Sequence, residues 1–107
     1  MLYSIFAYDN ENSLPLREKA RPKHIARLKE LYEQNRLVIA GPNPAIDSVE
    51  PGEAGFTGSL IVADFPSLEA AKDWANNDPY LETGVYKEVH VKPFKQVLPE
   101  PTDLNEE

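Results

Sequence analysis

Histidines and carboxylates are the side chains that move protons near neutral pH, and this chain has two histidines, His24 and His90. His24 stands four residues before Leu28 and seven before Leu31. That spacing returns to one face of a helix and turns the imidazole inward with the leucines. Asp78 stands four residues after Trp74 and seven after Ala71, so the same periodicity points it inward from the end of a second helix. A carboxylate at a helix C-terminus meets the negative end of the dipole, and a nearby imidazole would compensate it. Such a pair orients the ring and stabilises its protonated form, which suits His24 to general acid or base work, since free imidazole titrates at roughly 6.5. A structural reading stands beside this one. A lone histidine on a helix stripe is more often a satisfied core residue, and Asp78-Pro79 also reads as an N-cap followed by a first-position proline.

The remaining chemistry-bearing residues narrow the options. His90 lies between Glu88 and Lys92 at alternate spacing and reads as a surface residue, while Trp74 reads as core. The absence of cysteine excludes disulfides, thiolate nucleophiles and cysteine-ligated metals. Gly55-Phe56-Thr57-Gly58-Ser59 has neither the spacing nor the lysine of a phosphate-binding loop, so no nucleotide cofactor is expected. Ser59 lacks a nucleophile-elbow pattern, and the two histidines have no metal-ligand spacing, so no metal site is expected either. Arg17, Lys19, Arg21, Lys23, Arg27 and Lys29 cluster around one predicted helix. Such a run can draw a small anion, but is more commonly a solvated face.

The elements that must position these residues follow from periodicity. Residues 2–8 read as a strand and 9–13 as a loop; Pro22 to Asn35 reads as a helix with Pro22 at its first position. Residues 36–40 restart a strand, which Gly41-Pro42-Asn43-Pro44 stops before a long loop to about Gly55. Residues 56–65 read as a central strand, apolar on both faces. Ser67 caps a second helix whose apolar stripe is Leu68, Ala71, Trp74 and Ala75, ending near Asp78-Pro79, and residues 85–97 alternate as a fourth strand. The order βαββαβ predicts an α+β, ferredoxin-like domain over residues 1–97: a four-stranded antiparallel sheet with both helices on one face. Residues 98–107 read as an acidic, flexible tail. The uncovered, partly apolar sheet face predicts a homodimer packed sheet to sheet.

Composition agrees with one soluble domain of 107 residues. With 18 acidic against 11 basic residues and a net charge of −7, the chain repels a phosphate backbone, so no nucleic-acid partner is expected. No apolar run is long enough for a membrane helix and the first residues lack the features of a signal peptide, so no membrane is expected and the cytoplasm is the default location.

Arg21-Pro22-Lys23-His24, Ala40-Gly41-Pro42, Gly55-Phe56-Thr57-Gly58-Ser59, Ala75-Asn76-Asn77-Asp78-Pro79-Tyr80 and Val91-Lys92-Pro93-Phe94 together resemble, in order and spacing, the recurring motifs of YciI-like (YCII-related) proteins. The resemblance spans residues 1 to about 97. It implies the dimeric α+β barrel superfamily, with a pocket between sheet and helices in each protomer. It implies that the family's His–Asp pair falls on His24 and Asp78. Strand position and family motif add Tyr8, Phe56 and Ser59 as expected substrate-binding residues. The family includes a relative similar to a dehydrochlorinase acting on a chlorinated hydroxyquinol, while most members have no assigned reaction. The implied activity is a small cofactor-independent enzyme using the His–Asp pair for elimination, isomerisation or hydrolysis of a small organic substrate; the alternative is a non-catalytic dimeric module that binds a small ligand or a protein.

Overall fold

The computed structural model describes residues 1–101; the expected acidic tail lies outside the described residues from position 102 onward. The elements are β1 (Leu2–Asp9), α1 (Leu14–Glu33), β2 (Leu37–Pro44), β3 (Phe56–Asp64), α2 (Leu68–Asn76), α3 (Pro79–Glu82) and β4 (Tyr86–Phe94), with a single 3₁₀ turn at Gly52–Ala54 before β3. The sheet order is β2-β3-β1-β4, with every neighbouring pair antiparallel, which is the ferredoxin-like arrangement. β3 is indeed central, between β2 and β1.

One sheet face carries the core. Tyr3 and Ile5 of β1 and Ile61 and Ala63 of β3 pack with Leu31 of α1 and with Ala71 and Ala75 of α2, so both long helices cover this side. A second cluster, Ala7, Ala20, Tyr80, Val85 and Tyr86, sits under the N-terminal half of α1 and under α3. On the opposite face Phe6 and Tyr8 are exposed.

Several expected boundaries differ, including the end of β4, which falls at Phe94 and not at residue 97. Helix α1 begins at Leu14, not at Pro22, and Pro22 lies inside it on an exposed turn. The start is set by Ser13 and by Pro15 in the first turn, where a proline's missing N–H leaves no bond unmade. β2 runs through Gly41 and Pro42 to Pro44 instead of stopping at Ala40. It is an edge strand, where a proline interrupts no ladder on the free side. Helix α2 begins as expected: the Ser67 hydroxyl accepts the Ala70 N–H at 3.0 Å. Its end falls at Asn76, which leaves Asp78 outside it.

Candidate functional site

Helix α1 sets the site through one stripe. Arg17, Ala20, His24 and Leu31 are its buried residues, spaced by three, four and seven, so they descend one face toward the sheet. The β1–α1 connection fixes where this stripe begins. Asp9, at the end of β1, accepts Arg17 Nε at 2.6 Å and Nη2 at 3.1 Å, and also the Ser13 hydroxyl at 3.2 Å. The connection is tied to the start of β4 as well: the Asn10 amide donates to the Gly84 carbonyl at 2.9 Å, and Gly84 turns the chain at φ +87°, a conformation that side chains resist.

Asp78 is not at the C-terminus of α2 but is the N-cap of α3, where its Oδ1 accepts the Tyr80 N–H at 2.8 Å and Pro79 opens the helix. Its carboxylate therefore meets the favourable end of that short dipole rather than the unfavourable end of another. The same carboxylate faces His24 Nδ1, at 2.9 Å from Oδ1 and 3.0 Å from Oδ2. One side chain thus both contacts His24 and caps α3. His24 is 6 % exposed and Asp78 2 %.

Aromatic rings hold the imidazole in plane. Tyr80 stacks on it at 3.9 Å between centroids and 7° between planes, and Tyr86 meets it edge-on at 6.4 Å. Burial raises the pKa of the Tyr80 phenol, opposed by the positive charges of Arg17 and Arg21. Burial pushes that of Tyr86 well above the usual phenol range, and its hydroxyl lies near Ser59 without meeting it in hydrogen-bonding geometry, so the buried oxygen has no partner. Arg27, one turn after His24, lies over Trp74 at 4.3 Å and donates to the Trp74 carbonyl at 2.8 Å. Burial lowers its pKa, while the neighbouring Asp78 and Glu30 charges support the cation.

With Nδ1 engaged by Asp78, the other ring nitrogen of His24 has no partner among the described residues and is not sealed from solvent. His24 lines a cavity of about 200 Å³ between α1, β2 and β3, with Arg17, Arg21, Ser59, Ile61 and Tyr80 around it and Ile25, Leu28 and Pro42 toward the mouth. The imidazole is thus a wall of the cavity while Nδ1 is held by Asp78. Among the described residues no three His, Asp or Glu side chains converge as a metal site requires.

Of the residues read from the sequence, His24, Asp78 and Ser59 come together here. Phe56 stands beside them: a register shift between Asn43 and Pro44 brings its ring to 5.2 Å from the Arg17 guanidinium, though it does not line the cavity. Tyr8 does not join them. It pairs with Gly58 and Glu88 on the other sheet face, is 56 % exposed and packs against His90 at 5.9 Å, because strict alternation from the buried Ala7 turns it away. Arg17, Tyr80 and Tyr86 were missed as site residues. Arg17 is seven residues before His24 and would have been found on the same stripe had the helix been begun at Ser13-Leu14.

The YCII-related domain family model matches residues 1–95. The chain belongs to the YCII-related family. It is 60% identical over 98 residues to an uncharacterised protein of Haemophilus influenzae, covering 92% of this chain and 100% of that protein. To protein YciI of Escherichia coli O6:H1 it is 57% identical over 98 residues, with the same coverage of both. Among solved structures it is similar to 5-chloro-2-hydroxyhydroquinone dehydrochlorinase of Burkholderia phenoliruptrix AC1100 in complex with 2,5-dihydroxybenzoquinone, at a TM-score of 0.79 and 24% identity, over 91% of this chain and 96% of that one. It also resembles protein Atu4242 of Agrobacterium tumefaciens at a TM-score of 0.51 and 17% identity, over 94% and 98% of the two chains. These likenesses bear on the fold alone, which is ferredoxin-like. Among the described residues no helix is long and apolar enough to cross a membrane.

Proposed function

We propose that this YCII-related protein is a small enzyme in which His24 moves a proton on a small organic substrate held in the cavity under α1, with Asp78 fixing the ring's orientation and supporting its charged form. The observation that carries this reading is the position of the imidazole: Nδ1 is bound to a buried carboxylate while the ring lines an open cavity and its other nitrogen makes no hydrogen bond among the described residues. A purely structural His–Asp pair would be packed on both sides. Elimination, isomerisation and hydrolysis all fit a general base or acid of this kind. The dehydrochlorinase that shares the fold performs an elimination on a small ring compound, which favours that member of the three. Protomers pair through the sheet face that bears Phe6 and Tyr8, as the open apolar surface favours.

A thermal-shift screen of wild type and His24→Ala against small aromatic, lactone and halogenated acids tests this reading, because a ligand that binds only the native state raises apparent stability. Stabilisation of wild type but not of the variant supports it, and the responding compound then becomes the substrate for turnover assays. The second reading, a ligand-binding module without catalysis, is favoured by one fact: Asp78 also caps α3 and so has a structural task of its own. Under it, Asp78→Asn lowers stability while ligand binding persists and no compound is turned over.

A further inference from the structure

The cavity wall has a charge character opposite to that of the whole protein. In a chain of net charge −7, none of the residues lining it is acidic, whereas Arg17, Arg21 and His24 are all there. Arg17 is the unusual one, a guanidinium only 6 % exposed. Its Nε and Nη2 are fully committed, to Asp9 and, through Nη2, to the Gly58 carbonyl and the Ser59 hydroxyl at 2.9 Å each. Nη1 is not one of the sealed polar atoms, which are Arg27 Nη1 and the Tyr86 hydroxyl, and the guanidinium is also close enough to the Tyr80 hydroxyl to oppose the effect of burial on that phenol. A nearly buried arginine in the cavity wall is thus locked in place by three groups, with Nε and Nη2 committed and Nη1 bonded to none of the three. Ser59 accepts from Arg17, and its own proton is available to a cavity ligand or to the neighbouring Tyr86 hydroxyl.

Arg17 and His24 are joined by a common neighbour. The Arg17 guanidinium lies 5.0 Å from the Tyr80 ring centroid and the His24 ring lies 3.9 Å from it, so a bound molecule reaches both across one aromatic surface. The remaining lining, Ile25, Leu28, Ala40, Pro42 and Ile61, is apolar apart from backbone. The volume of about 200 Å³ is below the roughly 300–1,000 Å³ of pockets that take drug-sized ligands.

We propose that the cavity is built for a compact organic anion, its charged group held by Arg17 Nη1 and the Ser59 hydroxyl with Arg21 at the rim, and its apolar body laid against Ile25, Leu28 and Ile61 beside His24. This names the substrate class for the site and rests on the proton-transfer reading above. Charge-assisted donors preorganised in a nearly dry pocket discriminate strongly between an anion and its neutral isostere, because only the anion repays the desolvation of the guanidinium.

Benzoate and its neutral isostere benzamide are suitable probes, titrated into the full chain and followed by carbon–proton NMR of the His24 imidazole. The expected result is saturable shifts with benzoate and roughly tenfold or weaker binding of benzamide. Arg17→Gln made together with Asp9→Asn, so that neither charge is left buried alone, is expected to weaken benzoate roughly tenfold or more and to leave benzamide unchanged. If that double variant does not fold, Arg21→Gln and Ser59→Ala, each at an accessible or small side chain, are expected to weaken benzoate severalfold. Equal binding of the two probes, no binding of benzoate, or benzoate affinity unchanged in the variants overturns the proposal. Probe binding is read without turnover, so the anion subsite can fail while His24 still proves catalytic; loss of turnover in His24→Gln tests the chemistry separately.

Discussion

The two halves of helix α1 bury their inner faces in different ways. Toward its C-terminus, Leu28 and Leu31 close on Tyr3, Ile5, Ile61 and Ala63 with Ala71 and Ala75 of α2, a cluster with no titratable group except a tyrosine. Toward its N-terminus the same stripe buries Arg17 and His24, held by Asp9 and Asp78 and wrapped by Tyr80 and Tyr86. The first half is stabilised by apolar area, which needs no particular orientation. The second is held by directional bonds that satisfy some atoms of each side chain and leave others free beside a cavity. Apolar packing and directional polar bonding therefore dominate different ends of one helix, and Leu28 and Ile61 belong to both the apolar cluster and the cavity wall.

The largest effect that would break this division is expected at Arg17. Arg17→Ala leaves the carboxylate of Asp9, whose side chain is 1 % exposed, without its partner, and should cost about 3–5 kcal/mol in urea unfolding. Neutralising both residues together should recover much of that loss. Leu31→Ala removes a side chain that is 2 % exposed and should cost about 2–5 kcal/mol. The comparison sharpens if this variant, assayed below its lowered melting temperature, keeps the ligand affinity of wild type; a large loss of affinity would show that the two halves are not separable.

Asp78→Asn keeps a cap for the Tyr80 N–H and should cost only about 1–2 kcal/mol, yet lower kcat on the screened substrate by roughly 10²–10⁴-fold. A stability loss without a rate loss would return Asp78 to a structural role. The smallest effect, and one of opposite sign, is at Tyr86. Its buried hydroxyl has no partner, so Tyr86→Phe should stabilise the protein by about 1 kcal/mol. The same substitution should also raise resistance to alkali. Because burial raises the folded-state pKa of Tyr86, unfolding releases its proton first: stability is intact below about pH 10, the unfolded phenol's range, and is lost as pH rises toward the folded value. Chemical denaturation of wild type and Tyr86→Phe at neutral pH and above pH 10 measures both effects.

The apolar periods of this chain were enough to read the order of elements and the helix stripe through His24, because burial enforces those spacings over several turns; Asp78 is buried as expected, but as the N-cap of α3 and not through the spacing of α2. What was hidden had local causes. Pro22 looks like a helix start because proline is favoured at that position, but a proline is also tolerated where its ring faces solvent, and Ser13 and Pro15 had already begun the helix. That displaced start concealed Arg17 among the exposed basic residues of a run in which only it is buried. The double task of Asp78 was invisible for another reason: it joins a contact two residues away to one across 54 residues, and no single spacing encodes both. Tyr8 was misplaced by one position of alternation, which in a strand is the whole thickness of the sheet.

The prolines of the sheet bear on how copies of this protein can assemble. β2 and β4 are the two outer strands, and each carries proline, Pro42 and Pro44 on one and Pro93 on the other. Each withholds an N–H from any strand that would dock alongside, so the sheet resists extension from one molecule to the next in its own plane. Growth into filaments along the plane of the sheet is thereby discouraged at both margins.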